Sequence, residues 1–375
     1  MRTVDAAGLG IGDDHPPRIM GVLNVSAESP YSPSVYDDPA EAAAYVEDEL
    51  LAEGADIIDI GLESANKKFD VLSAEQELDR LDIALETIER VDGDAVFSIE
   101  TRYHEVADAA LAGGFDMVND ICGFADPKMP DVCEAHDAAV AKMASPPDLE
   151  RPGAVEAVDD IYDALGLNGF TDKTIVDPAF GGWSEEKTLA DDRETFERLR
   201  EFRALGRPIL VSINRKNFLR DLAGRSTEEA LPVSLAATAM AVERGAHIIR
   251  THDVAETRDA AVIGDAFTRE RTRTPSVEEL DVTTVREAER HLEQHAGDTT
   301  VAAESVSRAF SVRGLDDADR ETLSAAAAAA GAVASGDDTV FLAGTVDALE
   351  TVADAVEDGA GRLPEVAADI RNTLT

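Results

Sequence analysis

Eight short apolar runs, each followed by a segment of helical length, dominate the first 270 residues of this sequence. The segments between them, such as "AEQELDRLDIALETIERV" (74–91), repeat apolar residues with the period of an amphipathic helix. Strands that alternate with helices form βαβ units and a parallel sheet. The runs occur at 18–25, 55–61, 95–100, 116–120, 138–143, 174–178, 208–213 and 246–251.

The number of apolar runs favours a closed barrel over other parallel sheets. Eight strands close a (β/α)8 barrel of about 250 residues, and residues 18–271 supply that length. A weak repeat supports the same units, since "EGADIIDI", "GGFDMVND" and "RGAHIIRT" each place a glycine, typical of a helix end, just before an apolar run. An open doubly wound sheet is the alternative, but no GxGxxG motif follows the first run. We therefore predict an α/β chain built on a TIM barrel.

Both ends of the chain lie outside the barrel pattern. Residues 1–17 form an N-terminal extension, and "TRTPSVEELDVTT" (272–284) is typical of a linker. The rest of 272–375 contains an alanine-rich run at 323–335 and a strand–helix pattern at 337–359. We predict a small accessory αβ or helical domain at 272–375, and its sequence contains no chemical motif.

The composition excludes several classes of partner. The chain has 77 acidic and 34 basic residues, for a net charge of −43, and only seven of the basic residues are lysines. Such a chain repels nucleic acid and anionic membranes, and we expect it to bind neither. Screening over about 3 Å at molar salt makes the self-repulsion tolerable, so the charge indicates a halophilic protein.

The cysteines and the N-terminus favour a cytoplasmic location. Cys122 and Cys133 form no disulfide framework and no CxxC motif. The N-terminal residues resemble no signal peptide, and no apolar run reaches the 18 residues of a membrane-spanning helix. We expect a cytoplasmic protein that does not enter a membrane.

All eight runs end in a polar or charged residue. Because active sites of barrels gather at the carboxyl ends of the strands, these residues are candidates for one site. Arg250 and His252 have the parity of Ile248, and residues two apart face the same side of a strand. In order, the residues are Asn24, Asp59 with Glu63 beyond it, Glu100, Asn119, Lys142, Asp177, Asn214 with Lys216 beyond it, then Arg250 and His252.

Each of these residues also has an ordinary structural interpretation. Asp59 or Asn119 could cap a helix or a loop, Arg250 could form an ion pair with Asp59, and His252 could be an exposed histidine. Lys216 is harder to explain in this way, because the chain has replaced most of its lysines with arginine. A compact ammonium suits a ring carbonyl or a phosphate. The complete set favours a binding site over coincidence.

The chemistry of the set can be read in part. Acceptors at Glu100, Asn119 and Asp177 suit a ligand rich in N–H groups, and donors at Asn24, Arg250 and His252 suit a phosphate or diphosphate. A flat heterocycle with a phosphorylated arm satisfies both halves.

These residues lie in segments that resemble the dihydropteroate synthases of the pterin-binding barrel superfamily. The resemblance covers about residues 18–270, in order, at seven of the eight strands. The similar segments are "IMGVLNVSAESPYS", "DIIDIGLESA" with "SAEQELDRL", "FSIETRYHEVADAAL", "VNDICGF", "IVDPAFG", "VSINRKNFL" and "IIRTHDV".

The resemblance implies a reaction and a role for each residue. Members of the family condense a dihydropterin methyl diphosphate with 4-aminobenzoate and release diphosphate. By resemblance, Mg²⁺ is the cofactor and is contacted by Asn24. Asn24, Lys216, Arg250 and His252 are the expected catalytic residues, and the expected substrate-binding residues are Glu63, Glu100, Asn119, Asp177, Asn214 and Lys216. The expected partners are the two small substrates and a second copy of the chain in a homodimer.

The sequence departs from the family pattern around the second substrate. Ala65-Asn66 replaces a Thr-Arg pair associated with aminobenzoate, and Glu100 replaces an aspartate. A solvated loop is the simpler explanation for the adjacent Lys67 and Lys68, and an arylamine with an anionic extension is the alternative. Two other functions stay open at this point: a non-catalytic pterin-binding protein and a pterin-dependent methyltransferase that serves a corrinoid protein.

Overall fold

A computed structural model describes residues 2–26, 34–63, 71–147, 155–181, 186–274 and 276–374. The chain divides into two compact units, Met1–Glu270 and Arg271–Thr375. They are described separately below, with strands and helices numbered along the chain.

The first unit is a barrel of eight parallel strands preceded by a hairpin. The barrel strands pair in sequence, with the last two next to the first. A parallel bridge between Val176 and Ile209 joins the two ends of the sheet and closes the barrel. The predicted (β/α)8 fold is confirmed. The strands are β1 (Val4–Ala6), β2 (Leu9–Ile11), β3 (Arg18–Asn24), β4 (Ile57–Gly61), β5 (Val96–Thr101), β6 (Met117–Asp120), β7 (Ala139–Met143), β8 (Thr174–Asp177), β9 (Leu210–Val211) and β10 (Ile248–Thr251).

Helices follow the strands and begin where the sequence supplies caps. Ser73 and Gln76 form a reciprocal capping box at the start of α2, and Asp38 caps α1 ahead of Pro39. Within the described ranges, none of the helices is both long and apolar enough to span a membrane. The helices are α1 (Pro39–Tyr45, continued by a π-helix at Val46–Leu51), α2 (Ala74–Arg90), α3 (His104–Ala112), α4 (Met129–Ala135), α5 (Val158–Gly166), α6 (Leu189–Glu197, followed by a 3₁₀ helix at Leu199–Leu205), α7 (Asn217–Ala223), α8 (Leu231–Glu243) and α9 (Val254–Ala266).

The interior of the barrel shows which strand residues face its axis. Met20, Ile57, Val96, Met117 and Ile248 are buried together in one apolar cluster inside the barrel. The N-terminal hairpin β1–β2 adds Val4, Ala6 and Ile11 to the same cluster. Side chains two apart on a strand share a face. Residues two or four positions after these inward-facing residues therefore also face the barrel axis, at the carboxyl end of the barrel. The hairpin therefore fills the amino end of the barrel, and the carboxyl end holds the polar residues.

The second unit is a three-stranded antiparallel sheet with helices. β11 (Ser307–Arg313) and β12 (Val333–Ser335) both pair with β13 (Thr339–Thr345). The first part of the alanine-rich run belongs to α12 (Asp317–Ala330), which ends at Gly331 with φ +78°, and its last three residues form β12. Leucine, valine and alanine side chains from the sheet and helices form a separate buried cluster. The other helices are α10 (Val285–Gln294), a 3₁₀ turn (Thr299–Val301), α11 (Ala302–Ser305), α13 (Val346–Val356) and α14 (Leu363–Leu374).

Candidate active site

Residues at the carboxyl ends of five strands meet at one mouth of the barrel. Asn24, Gly61, Glu100 and Asn119 are neighbours in register across β3, β4, β5 and β6. Arg250 reaches them from β10. The structure therefore brings Asn24, Glu100, Asn119 and Arg250 together at this end, as their parity along the strands implies.

Arg250 lies at the centre of the cluster and holds two carboxylates. Its Nε donates to Asp59 Oδ2 at 2.8 Å and its Nη2 to Glu100 Oε2 at 2.7 Å. Asn119 Nδ2 donates to the same oxygen of Asp59 at 3.0 Å. The ion pair between Arg250 and Asp59, one of the interpretations of the sequence, is present. Because the guanidinium has further donors, this ion pair is compatible with a binding role.

Burial changes the proton affinity of Glu100. Removal from water raises the pKa of its carboxyl to about 7, and the neighbouring Asp59 carboxylate adds to the rise, although Arg250 opposes it. The Arg250 guanidinium lies among carboxylates that raise its own pKa, so it stays charged.

Asp177 and Lys216 lie in the same mouth, and their opposite charges act on each other. Lys216 Nζ donates to the carbonyl oxygen of Phe180 at 2.6 Å, and Asp177 Oδ1 accepts from the Ala179 N–H at 2.8 Å. Burial raises the pKa of Asp177 to about 6 and lowers the pKa of Lys216 to about 8. Both groups titrate close to neutral pH, which is common at functional sites.

Two residues that the sequence analysis missed, one before α6 and one in its first turn, support the loop after β8. Lys187 donates to the Ala179 carbonyl at 2.9 Å and pairs with Asp192 at 3.3 Å. Asp192 also accepts from the Gly181 N–H at 3.1 Å. A signal was available in the sequence, because Lys187 is one of only seven lysines. In the structure its side chain is only 1% exposed. These contacts hold the backbone on both sides of Phe180, whose carbonyl accepts from Lys216.

Asn24 and His252 are joined by a serine. Asn24 Nδ2 donates to Ser34 Oγ at 3.1 Å, and Ser34 Oγ lies 3.3 Å from His252 Nδ1. With the serine hydroxyl donating to Nδ1, the ring carries its proton on Nε2 and presents a donor there. Burial, together with the nearby Arg250 charge, lowers the pKa of His252 to about 4. His252 is therefore a neutral donor at physiological pH.

Three polar residues from the strand ends are engaged elsewhere. Glu63 accepts from Arg102, and Asn214 donates to Asp253 at 2.7 Å. Lys142 has the opposite parity from the site residues and donates to the carbonyls of residues 165, 167 and 169, outside the barrel. Including Lys142 among the residues that meet at the mouth was wrong, because a polar residue at the end of an apolar run can face either side of the strand. The roles of Glu63 and Asn214 in substrate binding stay predictions.

The expectations about Ala65, Asn66, Lys67 and Lys68 lie outside the described residues.

Comparison with known proteins gives the family. The profile of the pterin-binding enzymes matches residues 20–252. The dihydropteroate synthase of Bacillus subtilis is 30% identical over 255 residues, which is 66% of this chain and 88% of that protein. The chain belongs to the dihydropteroate synthase family. The resemblance stated from the sequence motifs is confirmed.

Other members of the family show how far the match extends. A probable bifunctional folylpolyglutamate synthase/dihydropteroate synthase of Halobacterium salinarum is 36% identical over 261 residues, or 66% of this chain. The chain covers only 31% of that larger relative. The crystal structure of the Thermus thermophilus dihydropteroate synthase in complex with 4-aminobenzoate aligns with a TM-score of 0.59 at 29% identity, covering 71% of this chain and all of that one. The matched family profile ends within the first unit.

Proposed function

We propose that this chain condenses a dihydropterin methyl diphosphate with an arylamine such as 4-aminobenzoate and releases diphosphate. The observation that carries the proposal is that Asp177 and Lys216, whose charges act on each other, lie in the same mouth as Arg250 and the Asn24–Ser34–His252 chain. One group of residues suits the heterocycle, and the other suits its anionic arm.

The pterin half of the substrate fits the β6 and β8 side. A carboxylate at Asp177 can accept from the pterin amino group and the adjacent ring N–H, while Lys216 donates to the ring oxygen. Asn119 adds an amide from the neighbouring strand. Among the described residues, Asp59 Oδ1 is buried without a hydrogen-bond partner, and a ligand N–H would satisfy it.

The diphosphate half fits the β3 and β10 side. Two of the five guanidinium N–H groups of Arg250 bind Asp59 and Glu100, and the others can donate to a diphosphate together with His252 Nε2. In the reaction the C–O bond to the diphosphate breaks, and the amine lone pair forms the new C–N bond. The amine proton then leaves to water or to the diphosphate. Buried carboxylates stabilise the cation that develops on the pterin methylene.

We propose that Mg²⁺ binds together with the diphosphate. The chain fits this role through the neutral Asn24 amide, whose oxygen faces Gly61; a Cβ at Gly61 would lie 3.1 Å from it. Mg²⁺ prefers oxygen ligands and keeps several waters, and it is often held by one or two protein groups plus phosphate. When bound, it would neutralise charge on the leaving diphosphate. Calorimetry should detect tight Mg²⁺ binding only when diphosphate is present. In Asn24→Ala, diphosphate should no longer increase the affinity for Mg²⁺.

Titration with the pterin diphosphate, with and without 4-aminobenzoate, tests the reaction. The proposal predicts release of diphosphate only when both substrates are present, and loss of that release in Arg250→Ala. Tight pterin binding without turnover would instead indicate a non-catalytic pterin-binding protein. Turnover only with a methyl-carrying pterin and a corrinoid protein would indicate the methyltransferase.

We also propose that the chain forms a homodimer through a groove between α6, α7 and α8. The groove holds about 460 Å³ and is mostly apolar, with Phe218, Leu222 and Met240 in its lining. Glu197 and Arg244 in its lining supply both signs of charge, so a two-fold related copy can pair with the same patch. Sedimentation in molar KCl should show a dimer that Leu222→Asp converts to a monomer. Phe341→Asp, at a 52% exposed side chain of the second unit, is the matched control and should leave the dimer intact.

We propose a cytoplasmic location on the basis of the thiols. Cys122 and Cys133 are both free and buried. Free cysteines are typical of proteins in a reducing compartment. Localisation of a tagged chain in its native cell would test this.

A further inference from the structure

The residue between Asn214 and Lys216 has an unfavourable backbone conformation. Arg215 has φ +51°, a left-handed conformation that costs free energy for a residue with a side chain. Its backbone N–H donates to the Ser234 hydroxyl of α8 at 2.8 Å. Strain of this kind persists only where surrounding contacts hold the residue in place. The contacts of the Arg215 side chain are therefore informative, because they stabilise the turn that leads into Lys216.

The Arg215 side chain forms a two-pronged ion pair with Asp253. Its Nε donates to Asp253 Oδ2 at 2.9 Å and its Nη2 to Asp253 Oδ1 at 2.8 Å. Asn214 Nδ2 donates to the same carboxylate at 2.7 Å. Arg215 Nη1 donates to the carbonyls of Thr227 and Glu228 at 2.8 and 3.2 Å. The two charged side chains are only 17% and 14% exposed, and a two-pronged pair fixes the geometry between its ends.

The ion pair joins two loops that each carry a residue of the site. Arg215 directly precedes Lys216 between β9 and α7, and Asp253 directly follows His252 between β10 and α9. Besides burial, the charges of Lys216 and Arg215 lower the pKa of His252, while the Asp253 carboxylate opposes them. These charges therefore lie close to the imidazole ring. In the function proposed above, Lys216 binds the pterin and His252 binds the diphosphate, so the ion pair links the two halves of the site.

We propose that Arg215 and Asp253 are positioning residues whose ion pair holds Lys216 and His252 at the separation that one pterin diphosphate molecule spans. The inference rests on the proposed function, because it uses the roles given there to Lys216 and His252. A ligand with two joined halves binds more tightly than either half only when both subsites are held at the matching distance. The planar guanidinium suits this task, because it reaches a carboxylate and two carbonyls at once, which a lysine cannot do in the same geometry.

Calorimetry on the full chain with Mg²⁺ separates positioning from general destabilisation. The three ligands are the pterin diphosphate, the same pterin with a hydroxyl in place of the diphosphate, and inorganic diphosphate. Arg215→Met should weaken binding of the joined ligand by about 10- to 100-fold, the range for loss of a charged hydrogen bond. Binding of each separate half should weaken by less than about threefold, because each subsite can still adapt to its own half. Arg215→Lys should not restore the joined ligand's affinity.

A second variant and a matched control complete the test. Asp253→Asn keeps the shape of the partner and removes its charge, so it should show the same selective loss even if Arg215→Met does not fold. Arg203→Met breaks another buried pair, in which Arg203 Nη2 lies 3.0 Å from Asp13 Oδ2 and the side chains are 6% and 16% exposed. Asp13 follows the hairpin at the amino end of the barrel. This control should lower the Tm without a selective loss for the joined ligand.

The outcomes distinguish this inference from the proposed reaction. Equal losses for the joined ligand and its halves, or an unchanged affinity for the joined ligand, would overturn the positioning role. A wild type that binds the joined ligand no more tightly than its halves would overturn it as well. Tight binding of the joined ligand without turnover, together with a selective loss in the variants, would count against the proposed reaction alone. A wild type that binds none of the three ligands would contradict both.

Discussion

Lys216 shows how one residue can be identified from composition and then explained by geometry. Its ammonium donates to the Phe180 carbonyl in the loop after β8, with Asp177 close enough to raise its pKa against the lowering effect of burial. Lys216→Ala should weaken binding of the pterin diphosphate by about 1.5–3 kcal/mol, the value of a hydrogen bond to a charged group. Lys216→Arg should fail to restore it, because the planar fork needs different geometry. Calorimetry on both variants measures the effect, and unchanged affinity in both would leave the lysine without a binding role.

The same pair of residues predicts a bell-shaped pH profile. Asp177 accepts from the pterin only when ionised, and burial raises its pKa to about 6, so activity should fall as the pH drops through that value. Lys216 donates best when charged, and burial lowers its pKa to about 8, so activity should also fall as the pH rises through that value. Plots of kcat/KM for the pterin substrate report both limits, because they reflect groups of the free enzyme. In Asp177→Asn, kcat/KM should no longer fall as the pH drops through about 6. If it still falls there, the titrating group is another one, such as Glu100.

At the scale of elements, the loop after β8 depends on a glycine. Gly181 has φ +110°, and a Cβ there would lie 2.9 Å from Lys216 Nζ. Gly181→Ala should therefore displace either the loop or the lysine and weaken pterin binding by at least about tenfold. The positive φ of this backbone is strained for a residue with a side chain, and that strain adds to the clash. Gly206→Ala, at φ +67° with nothing within 4 Å, tests the strain without the clash. If both variants bind the pterin equally, the contact with Lys216 does not matter.

Sequence patterns predict the length of one strand and the role of the N-terminal extension poorly. The run at 208–213 predicts a strand of six residues, but β9 spans only Leu210–Val211. Pro208 lacks an N–H for the ladder, which shortens a strand at its start. The extension at 1–17 carries no motif, yet its hairpin fills the amino end of the barrel with Val4 and Ile11. Its role depends on residues that are far away in the sequence.

At the scale of the whole molecule, charge dominates the expected behaviour. A net charge of −43 opposes the compact state unless salt screens it, because the Debye length is about 10 Å at 0.1 M salt and about 3 Å at 1 M. The Tm should therefore rise strongly between about 0.1 M and about 2 M KCl. Circular dichroism measures it, and equimolar NaCl should match KCl if screening is the cause. A Tm that is independent of salt would show that the surface charge is not an adaptation to salt.

The sequence alone determined the fold and the end of the barrel where the site lies. Strand–helix alternation with eight repeats is a local property of the chain, and parity along each strand follows from backbone geometry. These two facts are sufficient to place Asn24, Glu100, Asn119, Asp177 and Arg250 together at one mouth. The polar ends of these strands mark the site, although Lys142 shows that a polar strand end can also lie outside it.

Only the tertiary structure decided which partners these residues have. Arg250 pairs with Asp59, which is 191 residues away, and Glu100, which is 150 residues away. Ser34 and Lys187 joined the site because packing brought them next to its members, and Lys142 left it because its side chain takes the other face of β7. The reason is physical: the pKa and the orientation of a buried group depend on neighbours supplied by other strands, and no local pattern in the sequence contains them.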